Sequence, residues 1–86
     1  MFRGQQHPLE FPATHVYDIE LVTMQDVLEF VRIASSVEFP VLLKDVENFC
    51  VNGKSLLGAI AAVEWGSLYC ESSAEIYEKI KKFVKG

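Results

Sequence analysis

The chain has 86 residues, of which 50% are hydrophobic and 23% are charged, and its formal net charge at pH 7 is −4. This length accommodates one hydrophobic core, and the composition is that of a globular protein, not a disordered one. An acidic chain lacks the basic stripe that nucleic-acid binding requires, so we expect no nucleic-acid partner.

Residues 1–14 are predicted to form an N-terminal arm, and residues 15–86 a single domain. Pro8 and Pro12 disfavour regular structure in the arm. An arm of this kind can dock on its own domain or mediate a homodimer, because it carries apolar side chains. These are Phe2, Leu9 and Phe11.

Neither a signal-peptide pattern nor an apolar stretch of membrane-spanning length is present in the sequence. We therefore expect a cytoplasmic protein with no membrane partner, in which Cys50 and Cys70 are reduced, partly buried thiols. No cluster of metal ligands and no nucleophile–His–acid set has credible spacing. The sequence predicts no metal, no cofactor and no enzymatic activity.

The first predicted elements are a strand and a capped helix. Alternating apolar and polar residues over His15–Val22 predict a half-buried strand. Thr23 follows with Asp26 three residues later, a short variant of the capping box that opens a helix. Apolar residues at helical spacing carry this helix to Ser35–Ser36.

A hairpin is predicted next. Val41–Lys44 is predicted to form one strand, and Pro40 is tolerated at the start of that strand. Phe49–Val51 is predicted to form the returning strand. The intervening residues have turn chemistry, and Asn52-Gly53 closes the hairpin.

The second helix is predicted to begin after an N-cap at Ser55 and to end at Trp65-Gly66. Several apolar residues of this helix are expected to enter the core: Leu56, Leu57, Ile60, Ala61 and Val63.

The last predicted elements are a short strand and a C-terminal helix. Ser67–Glu71 reads as the strand, and Ser72 with Glu75 is predicted to form a capping box. An amphipathic stripe then indicates a helix. Its members are Ile76, Tyr77, Ile80, Phe83 and Val84.

The predicted order is therefore βαββαβα. Two split β-α-β units of this kind predict an α+β fold, with one four-stranded, mainly antiparallel sheet and three helices on one face. The other face of the sheet is left open.

Within this order, Lys54-Ser55-Leu56-Leu57-Gly58 resembles the segment that begins the second helix of HPr, the histidine-containing phosphocarrier of the bacterial sugar phosphotransferase system. The resemblance extends from about Val16 to Val84 and implies an HPr-like open-faced β-sandwich. It also implies that Ser55 is a regulatory phosphorylation site, and that Lys54, Leu56 and Leu57 dock a protein partner such as a kinase or a transcription regulator. Capping alone also explains a serine at position 55.

The phosphocarrier signature is missing from the junction between the first strand and the first helix. The family has a Gly-Leu-His-Ala-Arg-Pro-like segment there, whereas this chain has Thr23, Met24, Gln25 and Asp26. The carboxylate of Asp26 would repel a doubly negative phosphoryl group. His7 and His15 are interpreted as surface residues.

These features predict a non-catalytic, HPr-like regulatory or adaptor protein that has lost phosphocarrier activity, similar to the Crh relatives of the family. One alternative is a phosphocarrier that acts through an unrecognised site. Another is an unrelated α/β-sandwich module for ligand binding or oligomerisation, which would use the open sheet face or the arm.

Overall fold

The computed structural model describes residues 15–47 and 49–85, and the predicted arm lies outside the described residues. The order βαββαβα is confirmed. The elements are β1 (His15–Asp18), α1 (Met24–Ser35), β2 (Val41–Lys44), β3 (Cys50–Asn52), α2 (Leu56–Ala62), β4 (Tyr69–Ser72) and α3 (Tyr77–Ile80), which continues into a 3-10 helix (Lys81–Phe83).

The four strands form one sheet in the order β1-β4-β2-β3, with every neighbouring pair antiparallel. β1 and β2 therefore run parallel with β4 between them, and β3 and β4 run parallel with β2 between them. These are two interlocked split β-α-β units, as the element order predicted. The α+β open-faced sandwich is thus confirmed.

The core lies between the sheet and the helices. Val41 and Leu43 of β2 and Cys70 of β4 point towards the helices and are buried, because alternate residues of a strand share one face. Phe30 of α1 is fully buried and meets Phe83 edge to face, with ring centroids 6.1 Å apart. That contact ties the C-terminal segment to the central helix.

The prediction for the core face of α2 is wrong for most of its residues. The exposed side chains include Leu56, Leu57, Ile60 and Ala61. The helix instead buries Ala59 and Ala62, and Gly58 approaches β3 so closely that an added Cβ would lie 3.2 Å from the Cβ of Val51. Only small side chains fit at this separation, so the larger ones point away from the sheet.

The predicted capping box of Ser72 and Glu75 is also wrong. Ser72 is buried in β4, where it pairs with His15 on one side and Val41 on the other. Its hydroxyl donates to the backbone carbonyl two residues later (2.7 Å). Glu75 accepts from the backbone N–H of Tyr77 (3.0 Å), which begins α3. Pairing on both edges of β4 outweighs the local capping preference and extends the strand.

Gly53 is predicted to tolerate no side chain. An added Cβ would lie 2.9 Å from Cγ1 and 3.0 Å from the carbonyl oxygen of Val41, so the backbone must shift. We expect Gly53→Ala to lower the free energy of unfolding by about 1–3 kcal/mol, the usual cost of overpacking. Urea denaturation of Gly66→Ala is the control, because a Cβ there meets nothing within 4 Å. Equal stabilities of the two variants would contradict the close approach at Gly53.

Candidate functional site

The junction that replaces the phosphocarrier signature is a capping box. The Thr23 hydroxyl accepts from the backbone N–H of Asp26 (3.1 Å). In return, the Asp26 carboxylate accepts from the backbone N–H of Thr23 (3.2 Å) and from that of Val22 (2.9 Å). The predicted short capping box is confirmed, with one further donor that the sequence did not indicate.

These contacts make Asp26 an internal anion at the N-terminus of α1. The backbone N–H groups of Val22 and Thr23 hold the pKa of the Asp26 carboxyl below its ordinary value. A carboxylate therefore already lies beside the N-terminus of α1, where the helix favours negative charge.

Lysines near the N-terminus of α1 are paired with carboxylates. Lys82 of the 3-10 helix lies 2.6 Å from Glu29, and Lys85 lies 4.0 Å from Asp18. Glu78 pairs with Lys81 (3.2 Å). Lys82 joins the C-terminal segment to α1.

Ser55 is the N-cap of α2, as predicted. Its half-exposed hydroxyl accepts from the backbone N–H of Gly58 (3.1 Å). The neighbouring Lys54 ammonium donates to the carbonyl oxygen of Val37 (2.7 Å), and the Lys54 backbone N–H donates to the side chain of Asn52 (2.9 Å). Lys54 therefore ties the segment before α2 to the loop after α1, and its ammonium is not directed to solvent alone.

The two candidate regions follow opposite ends of the sheet. The Thr23–Asp26 junction follows the end of β1 at which Asp18 pairs with Tyr69. Ser55 lies after the end of β3, at the opposite end of the sheet, where the backbone N–H of Gly53 donates to the carbonyl of Val41 at the start of β2 (2.7 Å). They belong to different helices, α1 and α2, which pack against each other.

One flank of α1 presents apolar side chains to solvent. Glu29 contacts Lys82, so that flank of α1 faces the C-terminal segment. Helical spacing places Met24 and Leu28 on the other flank, towards α2. Both side chains are exposed.

The flank of α2 that faces α1 is apolar as well. Because Gly58 lies against Val51 of the edge strand β3, helical spacing places Leu56 and Ile60 on the side towards α1. Leu57 lies on the outermost side and is 81% exposed.

We call these five residues the α1–α2 surface: Met24, Leu28, Leu56, Leu57 and Ile60. The sequence nominated Leu56 and Leu57 for docking but missed Leu28 and Ile60. Leu28 follows Met24 by four residues, and Ile60 follows Leu56 by four residues, so helical spacing could have placed each pair on one face.

The cysteines differ from each other in burial. Cys50 is exposed on β3, whereas Cys70 is buried in β4, and both are free thiols. Burial, with a smaller contribution from Glu71, raises the pKa of Cys70 to about 12, so this thiol stays protonated. The sequence predicted that both cysteines would be partly buried, and this prediction is wrong for each of them.

Residues 15–47 and 49–85 contain no group of three or more side chains that could hold a metal ion. None of the helices within these ranges has the length and apolar character needed to cross a bilayer.

Comparison with protein-family models, with curated proteins and with solved structures finds no match for this chain.

Asp26→Asn is predicted to destabilise the protein in a pH-dependent way. Because the pKa of Asp26 is lower in the folded state, its ionised form adds stability above the ordinary pKa of 3.8, and this is lost as the pH falls through the folded value. Urea unfolding should show a less stable variant well above pH 3.8 and convergence with the wild type well below it. A difference that does not vary with pH would contradict the role of the charge.

Ser55→Ala is predicted to lower the free energy of unfolding by about 0.5–2 kcal/mol, because the backbone N–H of Gly58 loses its acceptor. Ser55→Asp is the matched variant, and it should retain most of the stability because aspartate also caps. Both are measured by denaturant unfolding. If Ser55→Asp were as unstable as Ser55→Ala, the cap would not explain the serine.

Proposed function

We propose that this chain is an HPr-like protein without phosphocarrier activity, which acts by binding a protein partner. Its role would be that of a regulatory or adaptor relative of the bacterial sugar phosphotransferase system, in the cytoplasm. The observation that carries the proposal is the α1–α2 surface, which exposes five apolar side chains, two of which (Leu56 and Leu57) directly follow the Ser55 cap.

Three features support the family assignment within this proposal. The element order and the open sheet are those that the resemblance implies. The Lys54–Gly58 segment begins α2, where the resemblance puts it. Gly58 also has a packing role, because it lets α2 lie close to Val51.

Asp26 supports the loss of carrier activity. A transferable phosphoryl group needs an acceptor nitrogen and donors that stabilise its negative charge. At this junction there is no histidine, and the donors of Val22 and Thr23 already bind the Asp26 carboxylate. Ion pairs also hold Lys82 and Lys85.

The α1–α2 surface supports a binding role because exposed apolar clusters on a small soluble domain are typical of interaction sites. Full burial of a leucine or methionine side chain contributes about 1.5–3 kcal/mol relative to exposure. Leu57 is the natural anchor because it is the most exposed apolar residue of the surface. The partner is expected to present a complementary apolar face, as a kinase or transcription regulator of the pathway would.

Phosphorylation of Ser55 would be the regulatory step in this proposal. A phosphate adds about −1.5 to −2 charge next to Leu56 and Leu57 and would alter an apolar contact there. The same modification changes the oxygen that now accepts from Gly58. Regulation would therefore act on both the docking surface and the first turn of α2.

The test measures binding to an HPr kinase with proven activity on ordinary HPr and to the transcription regulator that ordinary HPr binds. We expect binding of at least one of them, weakened by about tenfold or more in Leu57→Ser, which corresponds to 1.4 kcal/mol or more. Val16→Ser is the matched control. It also removes an exposed apolar side chain, but from the other face of the sheet.

Several results would contradict the proposal. An acid-labile phosphohistidine formed with phosphoenolpyruvate and the first enzyme of the system would show a working phosphocarrier. Equal loss of binding in Leu57→Ser and Val16→Ser would exclude the α1–α2 surface as the docking site. A failure of the kinase to add phosphate, measured by mass spectrometry, would remove the Ser55 switch. Self-association that Leu57→Ser abolishes, without binding to either protein, would favour the oligomerisation module.

A further inference from the structure

A second exposed apolar region lies at the end of the β2–β3 hairpin, past the C-terminal end of α2. It is a shallow groove of about 430 Å³. We call it the aromatic groove, and its lining residues are Asp45, Val46, Glu47, Phe49, Trp65, Gly66 and Ser67.

Two stacked rings form its apolar part. The rings of Phe49 and Trp65 have centroids 5.9 Å apart and planes inclined by 24°. Trp65 is half-buried and packs against the core, whereas Phe49 is 57% exposed. The core thus fixes one ring and leaves the other open to solvent. Val46 is 67% exposed beside them. Exposed aromatic and aliphatic side chains gathered in one concavity are typical of a contact surface.

The charge of the aromatic groove has a single sign. Asp45 and Glu47 line it, and among residues 15–47 and 49–85 no lysine or arginine does. One oxygen of Asp45 accepts from the backbone N–H groups of Glu47 and Phe49, at 2.9 Å each, which fixes that carboxylate at the rim. Neither carboxylate forms an ion pair within residues 15–47 and 49–85, in contrast to Glu71, which pairs with Lys44.

We propose that the aromatic groove binds an arginine side chain on an exposed segment of a protein partner. A guanidinium ion is planar, so it can stack on an aromatic face while its N–H groups bind a carboxylate. The groove supplies both features through Phe49 and the carboxylates of Asp45 and Glu47. A lysine ammonium matches the charge but not the planar shape.

A basic partner suits the aromatic groove better than a second copy of this chain. Each copy carries a net charge of −4, which opposes self-association through an acidic groove. The groove is separate from the α1–α2 surface, since Trp65 follows the C-terminal end of α2 and Ser55 precedes its N-terminal end. The inference therefore does not depend on the proposed function.

The single tryptophan of the chain provides the measurement, because Trp65 belongs to the aromatic groove. Tryptophan fluorescence is titrated with acetyl-Gly-Arg-Gly-amide and with the same peptide carrying citrulline, which keeps the planar shape but has no charge. A third peptide carries lysine. We expect a saturable change in fluorescence with the arginine peptide, at a Kd on the order of millimolar. The citrulline and lysine peptides should each bind at least about fivefold more weakly.

Variants locate the site. Glu47→Gln and Phe49→Ala should each weaken arginine-peptide binding by about two- to fivefold, the range measured for exposed ion pairs and cation–π contacts. Glu38→Gln removes the same charge from an exposed position in the α1–β2 loop and should leave binding unchanged. Circular dichroism checks that Phe49→Ala folds, as expected for an exposed side chain.

The proposal is overturned if the arginine peptide gives no saturable change, or if the citrulline peptide binds equally well. It is also overturned if Glu38→Gln weakens binding as much as Glu47→Gln does, because the effect would then be one of net charge alone. Dimerisation of the chain that Phe49→Ala abolishes would identify a second copy as the occupant instead.

Discussion

The close approach of α2 to the β2–β3 hairpin determines much of what this protein presents to solvent. An added Cβ at Gly58 of α2 would lie 3.2 Å from the Cβ of Val51 in β3. At this separation only alanines fit between the helix and the sheet. The leucines and isoleucine of α2 then point outwards, where they form three of the five residues of the α1–α2 surface. The surface is thus a consequence of packing, and the proposed binding role builds on it.

A second constraint acts at the start of α1. A helix N-terminus carries unsatisfied N–H groups and partial positive charge, so it attracts an anion. Here the anion is Asp26, which accepts from the backbone of Val22 and Thr23. The lowered pKa of the Asp26 carboxyl is the thermodynamic consequence of these two contacts. This arrangement places a hydrogen-bonded carboxylate at the start of α1.

The two surfaces proposed for binding differ in chemistry and are joined by α2. The α1–α2 surface is apolar and suits a complementary apolar face. The aromatic groove combines the Phe49–Trp65 stack with carboxylates and suits a basic side chain. Because α2 is only seven residues long, its two ends lie about 10 Å apart. A partner large enough to cover α2 would meet both surfaces.

The order of the elements and the capping box at Thr23 and Asp26 could be predicted from residue patterns, because periodicity and capping depend on residues a few positions apart. The same patterns also identified the Ser55 cap. Three features depend on how the elements pack together: α2 buries alanines, Ser72 belongs to β4, and Lys82 pairs with Glu29. Each of these depends on the distance between elements remote in the chain, which local patterns do not encode. For the same reason, residue patterns nominated only Leu56 and Leu57 of the α1–α2 surface and no residue of the aromatic groove.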